Sequence, residues 1–415
     1  MSELTPELVK DENHWLKVHP FFKQNSLDEL KKYIDSYESP AFLYSRRVVT
    51  DQHYKLSQDL PSKIKIFYAQ KSNPNPEILK HLKSLGVGCD TASLGEISAA
   101  IDAGFVSKDI MFTGPGKTEE ELQFAVRKNL MSVNVESIQE LELLDKICEE
   151  QRRKQGILVR INPKFEAGEE NRIIGGMGVS KFGIDIDQID EFMEALKKTK
   201  NIRLKGIHIF NSSQILFWKR IYENTIAVIE TAMELEKKYN VSFEVIDLGG
   251  GFGIPYSEEE FELDIDKLKK ELNFLYRNKK YSSFLEKIKM IYEPGRYLSG
   301  QCGIYITKVL YTKESGGKKV AIIDGGIHHM IRPALIGQSH PIVNLSGIIE
   351  KRLVKDNYLI AGPLCTSLDE FNQASQIEEI KQGDILAVLN AGAYGYTESM
   401  PLFLSHKPAK EIFIN

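Results

Sequence analysis

"IKIFYAQKSNPNPEILKHL" (residues 64–82) changes its period part-way along. Ile64, Ile66, Phe67 and Tyr68 form an apolar, β-prone run, and Pro76 to Leu82 carries apolar residues at helical spacing with a proline at its start. Between them lies Lys71, at the end of a strand that reads as buried. A lysine taken out of water is costly unless it is paired or reactive, so this junction carries both a fold signal and a chemical one.

The same strand-then-helix unit recurs. Apolar runs "IKIFYAQ", "VGCDTA", "DIMFTG", "MSVNVE", "ILVRIN", "LKGIHIF", "FEVIDLGGG" and "KMIYEPG" follow one another between residues 64 and 295. Most are followed by amphipathic segments, one of which opens with the capping pair Thr118 and Glu121. Eight such units predict a (β/α)8 barrel, with a doubly wound sheet as the competing architecture. After residue 300 the runs "GIYITKVLYTKE", "KKVAIIDGG", "PIVNLSGIIE", "YLIAGPLC" and "DILAVLNAGAY" have few helical stretches between them and predict an all-β domain. The expected organisation is a helical N-terminal extension over 1–40, a barrel over 41–300 and a C-terminal β domain over 301–415. The run "AFLYSRR" (41–47) is a candidate to pair with the β domain instead.

Composition narrows the function. The chain has 415 residues, 27% of them charged, with a net charge of -4. That argues against a nucleic-acid or anionic-membrane partner. No apolar run approaches a membrane span, and the polar N-terminus does not read as a secretory signal. Cys89, Cys148, Cys302 and Cys365 are widely spaced and read as reduced thiols, so a cytoplasmic location is expected.

Barrel active sites lie at the C-terminal ends of the strands. Lys71 ends the first strand, Asp90 the second, His208 and Phe210 the sixth, Gly249, Gly250 and Gly251 the seventh, and Glu293 to Arg296 the eighth. A glycine run after the seventh strand, with an arginine after the eighth, suits a phosphate, although alone it is also an ordinary tight turn. Lysine and phosphate on one rim predict a Schiff base to pyridoxal 5'-phosphate. Glu293 is placed to face the ring nitrogen, Asp90 to pair with Lys71, and either Phe210 or His208 to cover the ring.

In this order the motifs resemble the fold-type III pyridoxal-phosphate decarboxylases, the diaminopimelate, ornithine and arginine group. "FYAQKSNPNPEIL", "GVGCDTASLGEI", "SKFGI" (180–184), "DLGGGFG", "EPGR", "GPLCTSLDEF" and "AGAYGY" carry the resemblance over about residues 40–405. It implies a homodimer with shared active sites. Lys71 holds the cofactor, Glu293 and Arg296 meet its ring nitrogen and phosphate, and Ser213 and Tyr394 lie near the phosphate. Cys365 reaches the partner's site as proton donor. The departures bear on substrate. "HIFNSS" places Phe210 where the family has a stacking histidine, and Thr366 replaces the acidic residue that helps bind the substrate's distal end. Arg332 is kept in "IRPALIG", but Ile336 replaces a tyrosine that helps bind a distal carboxylate. This pattern resembles the branch acting on siderophore intermediates or carrier-protein-tethered amino acids. The expected activity is decarboxylation of an L- or D-amino-acid centre, with diaminopimelate decarboxylation as the alternative. Arg332 leaves room for some remote negative charge on the substrate. An alanine-racemase-like enzyme would want an arginine at the ring nitrogen, a cofactor carrier would lack the β domain, and a non-catalytic protein-binding homologue would not keep Lys71, Glu293 and the glycines.

Overall fold

The computed structural model describes residues 13–36, 39–163, 180–352 and 354–415. Eight parallel strands form the first unit: β1 (Ile64–Ala69), β2 (Gly88–Thr91), β3 (Ile110–Phe112), β4 (Ser132–Val135), β5 (Gln155–Asn162), β6 (Ile202–His208), β7 (Val245–Asp247) and β8 (Lys289–Tyr292). Each pairs with the next, and β8 pairs with β1 through Met290 opposite Ile64, so the sheet closes on itself. The protein is a (β/α)8 barrel with a separate sheet domain. The barrel unit comprises residues 52–254 and 262–298.

The strands form where the apolar runs lie because both faces are covered, which calls for continuous rather than alternating hydrophobicity. Phe67, Met111, Leu158, Val245 and Ile291, from five different strands, share one buried cluster with Met131. The helices begin where the caps stand. Asn75 accepts from Glu77 N–H ahead of Pro76, and Thr118 and Glu121 cap each other reciprocally. Each strand therefore delivers its last residue to the same rim before the chain turns into a helix.

The second unit comprises the described residues up to Asp51, Pro255–Phe261 and Ser299–Asn415. Its sheet is built on the long strand Gly303–Ser315, which pairs with Lys318–Ile323 and Ile385–Val388. Ala41–Ser45 lies antiparallel to Gly303–Ser315 and parallel to Lys410–Ile414. Helices His14–Val18, Pro20–Gln24 and Leu27–Ser36 cover this sheet, burying Trp15, Phe21 and Leu30 with Leu43, Ile304, Val343 and Leu389. Each such side chain contributes about 1.5–3 kcal/mol. No described helix is long and apolar enough to cross a membrane.

His19 ties these helices down. Its Nδ1 accepts from Phe21 N–H at 3.2 Å and its Nε2 donates to Asn390 Oδ1 at 2.9 Å. The bond at Nδ1 needs the neutral ring, and burial, opposed by the Asn390 bond and aided slightly by the charge of Lys23, holds the pKa down at about 4. The unfolded chain takes up a proton near the ordinary value of 6.5 and the folded chain does not. Stability is therefore lost as pH falls between about 6.5 and 4, by about 3 kcal/mol at most from this group. Urea unfolding of His19→Gln should show lower stability at neutral pH and a shallower fall on acidification than the native protein. An equal slope for both would contradict this account.

Candidate active site

Lys71 lies in the short turn Gln70–Ser72 that follows β1. The strand is buried but Lys71 itself is exposed, so the expectation of a desolvated lysine does not hold. Its Nζ sits 5.6 Å from the centroid of the Phe210 ring. Nucleophile and ring face thus meet above the barrel mouth.

Beneath them runs a buried polar chain. Asp90 Oδ1 accepts from Thr113 Oγ1 at 2.6 Å, and Asn134 Nδ2 donates to Thr113 Oγ1 at 2.9 Å. The same amide nitrogen reaches His208 Nδ1 at 3.3 Å. An amide NH2 only donates, so Nδ1 accepts and the ring proton resides on Nε2. That Nε2 faces Glu293 Oε2 at 3.8 Å. Burial holds His208 well below the usual histidine range, and the nearby charges of Arg160, Lys71 and Lys117 add to this. His208 is therefore a neutral donor below the rim, and it is Phe210 that lies beside Lys71.

Glu293 is the most constrained group. Burial first, then the negative Asp247 and Asp90, push its carboxyl well above the usual range. Burial first, then Asp90, pushes Asp247 to about 7. Asp90 is raised by burial and held back by Lys71. Glu293 Oε1 and Asp247 Oδ2 are buried with no hydrogen-bond partner among the described residues. Two such oxygens want a cationic N–H donor. His208, Asp247 and Glu293 also lie close enough to hold a metal ion, their ligand atoms within 4.8 Å of one another. Asp247 Oδ1 is already taken by Gly249 N–H at 3.0 Å and His208 Nε2 carries its proton, so a ring N–H suits the trio better.

Gly249, Gly250 and Gly251 follow β7. A side chain at Gly250 would stand 2.4 Å from the Glu293 carbonyl oxygen, and Gly249 has φ +66°. The run lets β7 and β8 approach with bare backbone, a cradle that any Cβ would fill. Ile215 N–H donates to Gly251 O at 2.7 Å, which holds the half-buried loop with Ser213 beside the glycines. Arg296 is buried in the short helix Gly295–Ser299.

Sequence reading missed three supports: Asp247, Asn134 and the pair of Arg160 with Glu136 at 3.2 Å. Arg160 also stacks 4.5 Å from the Phe182 ring, and Glu136 accepts from Gly183 N–H at 2.8 Å, which explains the "SKFG" motif. A polar residue inside an otherwise apolar barrel strand, as in "MSVNVE", was the available signal for Asn134.

The other predicted residues belong to the sheet unit. Cys365 is exposed, on a loop organised by Asp369, whose carboxylate accepts from Ile327 N–H and Leu364 N–H, each at 2.8 Å. Thr366 Oγ1 accepts from Leu368 N–H at 3.3 Å. Arg332 is buried, its Cζ 4.6 Å from the Tyr394 ring centroid and its Nε 3.0 Å from Glu398 Oε2. Ile336 is partly exposed at the end of the helix Arg332–Ile336.

Residues 46–300 match the family model "Pyridoxal-dependent decarboxylase, pyridoxal binding domain". The chain belongs to the pyridoxal-dependent decarboxylases. It is 35% identical to the diaminopimelate decarboxylase of Aquifex aeolicus over 95% of this chain and 91% of that one. It is 32% identical to the L-glutamyl-[BtrI acyl-carrier protein] decarboxylase of Niallia circulans, covering 91% and 89%. The crystal structure of Helicobacter pylori diaminopimelate decarboxylase complexed with L-lysine superposes with a TM-score of 0.82 at 27% identity, covering 93% of this chain and 94% of that one.

The decarboxylase's rim fits pyridoxal phosphate on its own geometry. Two buried carboxylate oxygens await an N–H, the glycine run after β7 brings bare backbone to the same rim, and the exposed Lys71 stands beside an aromatic face. Borohydride reduction of the native decarboxylase should leave a pyridoxyl group on the peptide containing Lys71, and Lys71→Ala should carry none. A pyridoxyl group on another lysine would contradict the assignment.

Proposed function

We propose that this decarboxylase serves a specialised biosynthetic pathway, removing the α-carboxylate of an amino acid that is tethered to a carrier protein or conjugated to citrate. The observation that carries the reading is Thr366. In this family an acidic residue there helps bind the remote end of the substrate, whereas the Thr366 hydroxyl is neutral and engaged by Leu368 N–H. A missing charged partner in a substrate site costs about 2–4 kcal/mol, or roughly 30- to 1,000-fold in discrimination. The similarity to a decarboxylase named for a carrier-bound glutamyl substrate supports the same reading.

In this reading Lys71 Nζ would hold pyridoxal phosphate at the end of β1, beside the Phe210 ring. Bound pyridoxal phosphate supplies the electron sink that lets the α-carboxylate leave as carbon dioxide. Glu293 would keep a proton at the ring nitrogen, with His208 Nε2–H facing its carboxylate at 3.8 Å. Phe210 keeps water from one face. The Cys365 thiol then gives its proton to the α carbon.

A second reading, diaminopimelate decarboxylation, is favoured by the relatives that bear that name, such as those from Aquifex aeolicus and Bacteroides thetaiotaomicron at 35% and 33% identity. Comparing kcat/KM on free ornithine, lysine and meso-diaminopimelate with carrier-tethered and citrate-conjugated candidates decides between them. The proposal expects the three free diamino acids to be at least about 30-fold poorer than the best conjugated candidate. Equal turnover of meso-diaminopimelate would select the second reading.

The same proposal makes the working form a homodimer in which Cys365 of one copy serves the site of the other. Its exposure on a loop flanked by the exposed Leu368 supports this. Sedimentation of the active enzyme should show a dimer, and a fully active monomer would contradict it.

A further inference from the structure

Arg332 was expected to offer its charge to the substrate, but the chain already supplies it with an anion. Glu398 Oε2 lies 3.0 Å from Arg332 Nε, and the Arg332 side chain is only 5% exposed. Nη1 donates to Gln338 Oε1 at 3.0 Å, and the guanidinium lies over the Tyr394 ring. Tyr394 itself is held in the left-handed region at φ +59°. The backbone beside Glu398 is tied down. The neighbouring Ser399 hydroxyl bonds to Gly395 O at 2.8 Å and to His329 O, pinning this loop to the segment that leads into the Arg332 helix. An arginine gripped on its edge and its face, with a carboxylate against its Nε, presents little net positive charge to a further anion.

We propose that Glu398 sets substrate specificity by neutralising Arg332, so that the enzyme takes substrates whose end remote from the reacting carbon is uncharged, such as an amide or thioester, and rejects those with a free carboxylate there. The inference rests on the reading above that the substrate's remote end reaches Arg332. It narrows that reading, because Thr366 disfavours a remote ammonium while the Arg332–Glu398 pair disfavours a remote carboxylate. A carrier-bound thioester carries neither charge. The geometry also defines a rival: Glu398, whose side chain is 35% exposed, would serve a substrate ammonium directly and stand in for the missing acidic residue at position 366.

The test uses two unreactive probes of the same length, glutarate and its uncharged diamide glutaramide, titrated calorimetrically into holoenzyme. The native protein should bind glutaramide more tightly than glutarate. Glu398→Gln should tighten glutarate about ten-fold and leave glutaramide within about two-fold, because only the former gains a positive partner. Glu398→Asp should keep the native preference, showing that charge and not packing is responsible. In Arg332→Met the Glu398→Gln change should have no effect on glutarate, since the charge it unmasks is gone. An unchanged glutarate affinity in Glu398→Gln, or a gain that persists without Arg332, would overturn the proposal. So would a loss of meso-diaminopimelate turnover in Glu398→Gln, which would assign Glu398 to a substrate ammonium. These outcomes are separate from failure of the carrier-tethered reading, which the substrate panel measures on the native enzyme alone.

Discussion

A buried carboxylate with one oxygen unmatched is the constraint on which the barrel rim depends. Glu293 ends β8 out of reach of water, with His208 Nε2 3.8 Å from one oxygen and no partner for the other among the described residues. Such a group is costly unless something cationic completes it. The protein accepts that cost and holds the carboxylate in place from several directions. Glu293 N–H donates to Gly249 O, Gly250 leaves room for the Glu293 carbonyl, and Asp247 crowds it with a second negative charge. Burial and their mutual repulsion keep the two carboxyls from both ionising, which is why both are raised.

The chain of Asp90, Thr113, Asn134 and His208 gives that carboxylate its direction. Its members come from the ends of β2, β3, β4 and β6, so closure of the barrel is what assembles it. Asn134 fixes which ring nitrogen of His208 carries the proton, and that choice turns His208 into a donor facing Glu293. Arg160, itself paired with Glu136 and stacked on Phe182, adds positive charge that keeps His208 neutral. Second-layer groups of this kind orient a reactive group without touching the substrate.

Much of this was legible in the sequence because buried parallel strands write themselves as continuous apolar runs, and five of the eight end at a residue or glycine run with chemical meaning. Lys71, Asp90, Glu293 and the glycine run could be placed on one rim from register alone. What could not be read depends on contacts between residues distant in the chain. Asn134 acquires a meaning only from His208 seventy-four positions later, and Arg332 looked available until Glu398 was placed beside it. The exposure of Lys71 was misjudged because the burial of β1 stops short of the turn that carries it. The N-terminal helices gave no chemical signal, and their role emerges only from Trp15, His19 and Phe21 meeting the sheet.

We propose that Glu293 keeps a proton on the cofactor's ring nitrogen. Nitrogen-15 NMR of the enzyme loaded with ring-labelled pyridoxal phosphate measures this directly. The account predicts a protonated ring nitrogen in the native protein throughout the neutral range, and an unprotonated one when Glu293 is replaced by Gln. An unprotonated nitrogen in the native enzyme, or the same shift in both proteins, would contradict it.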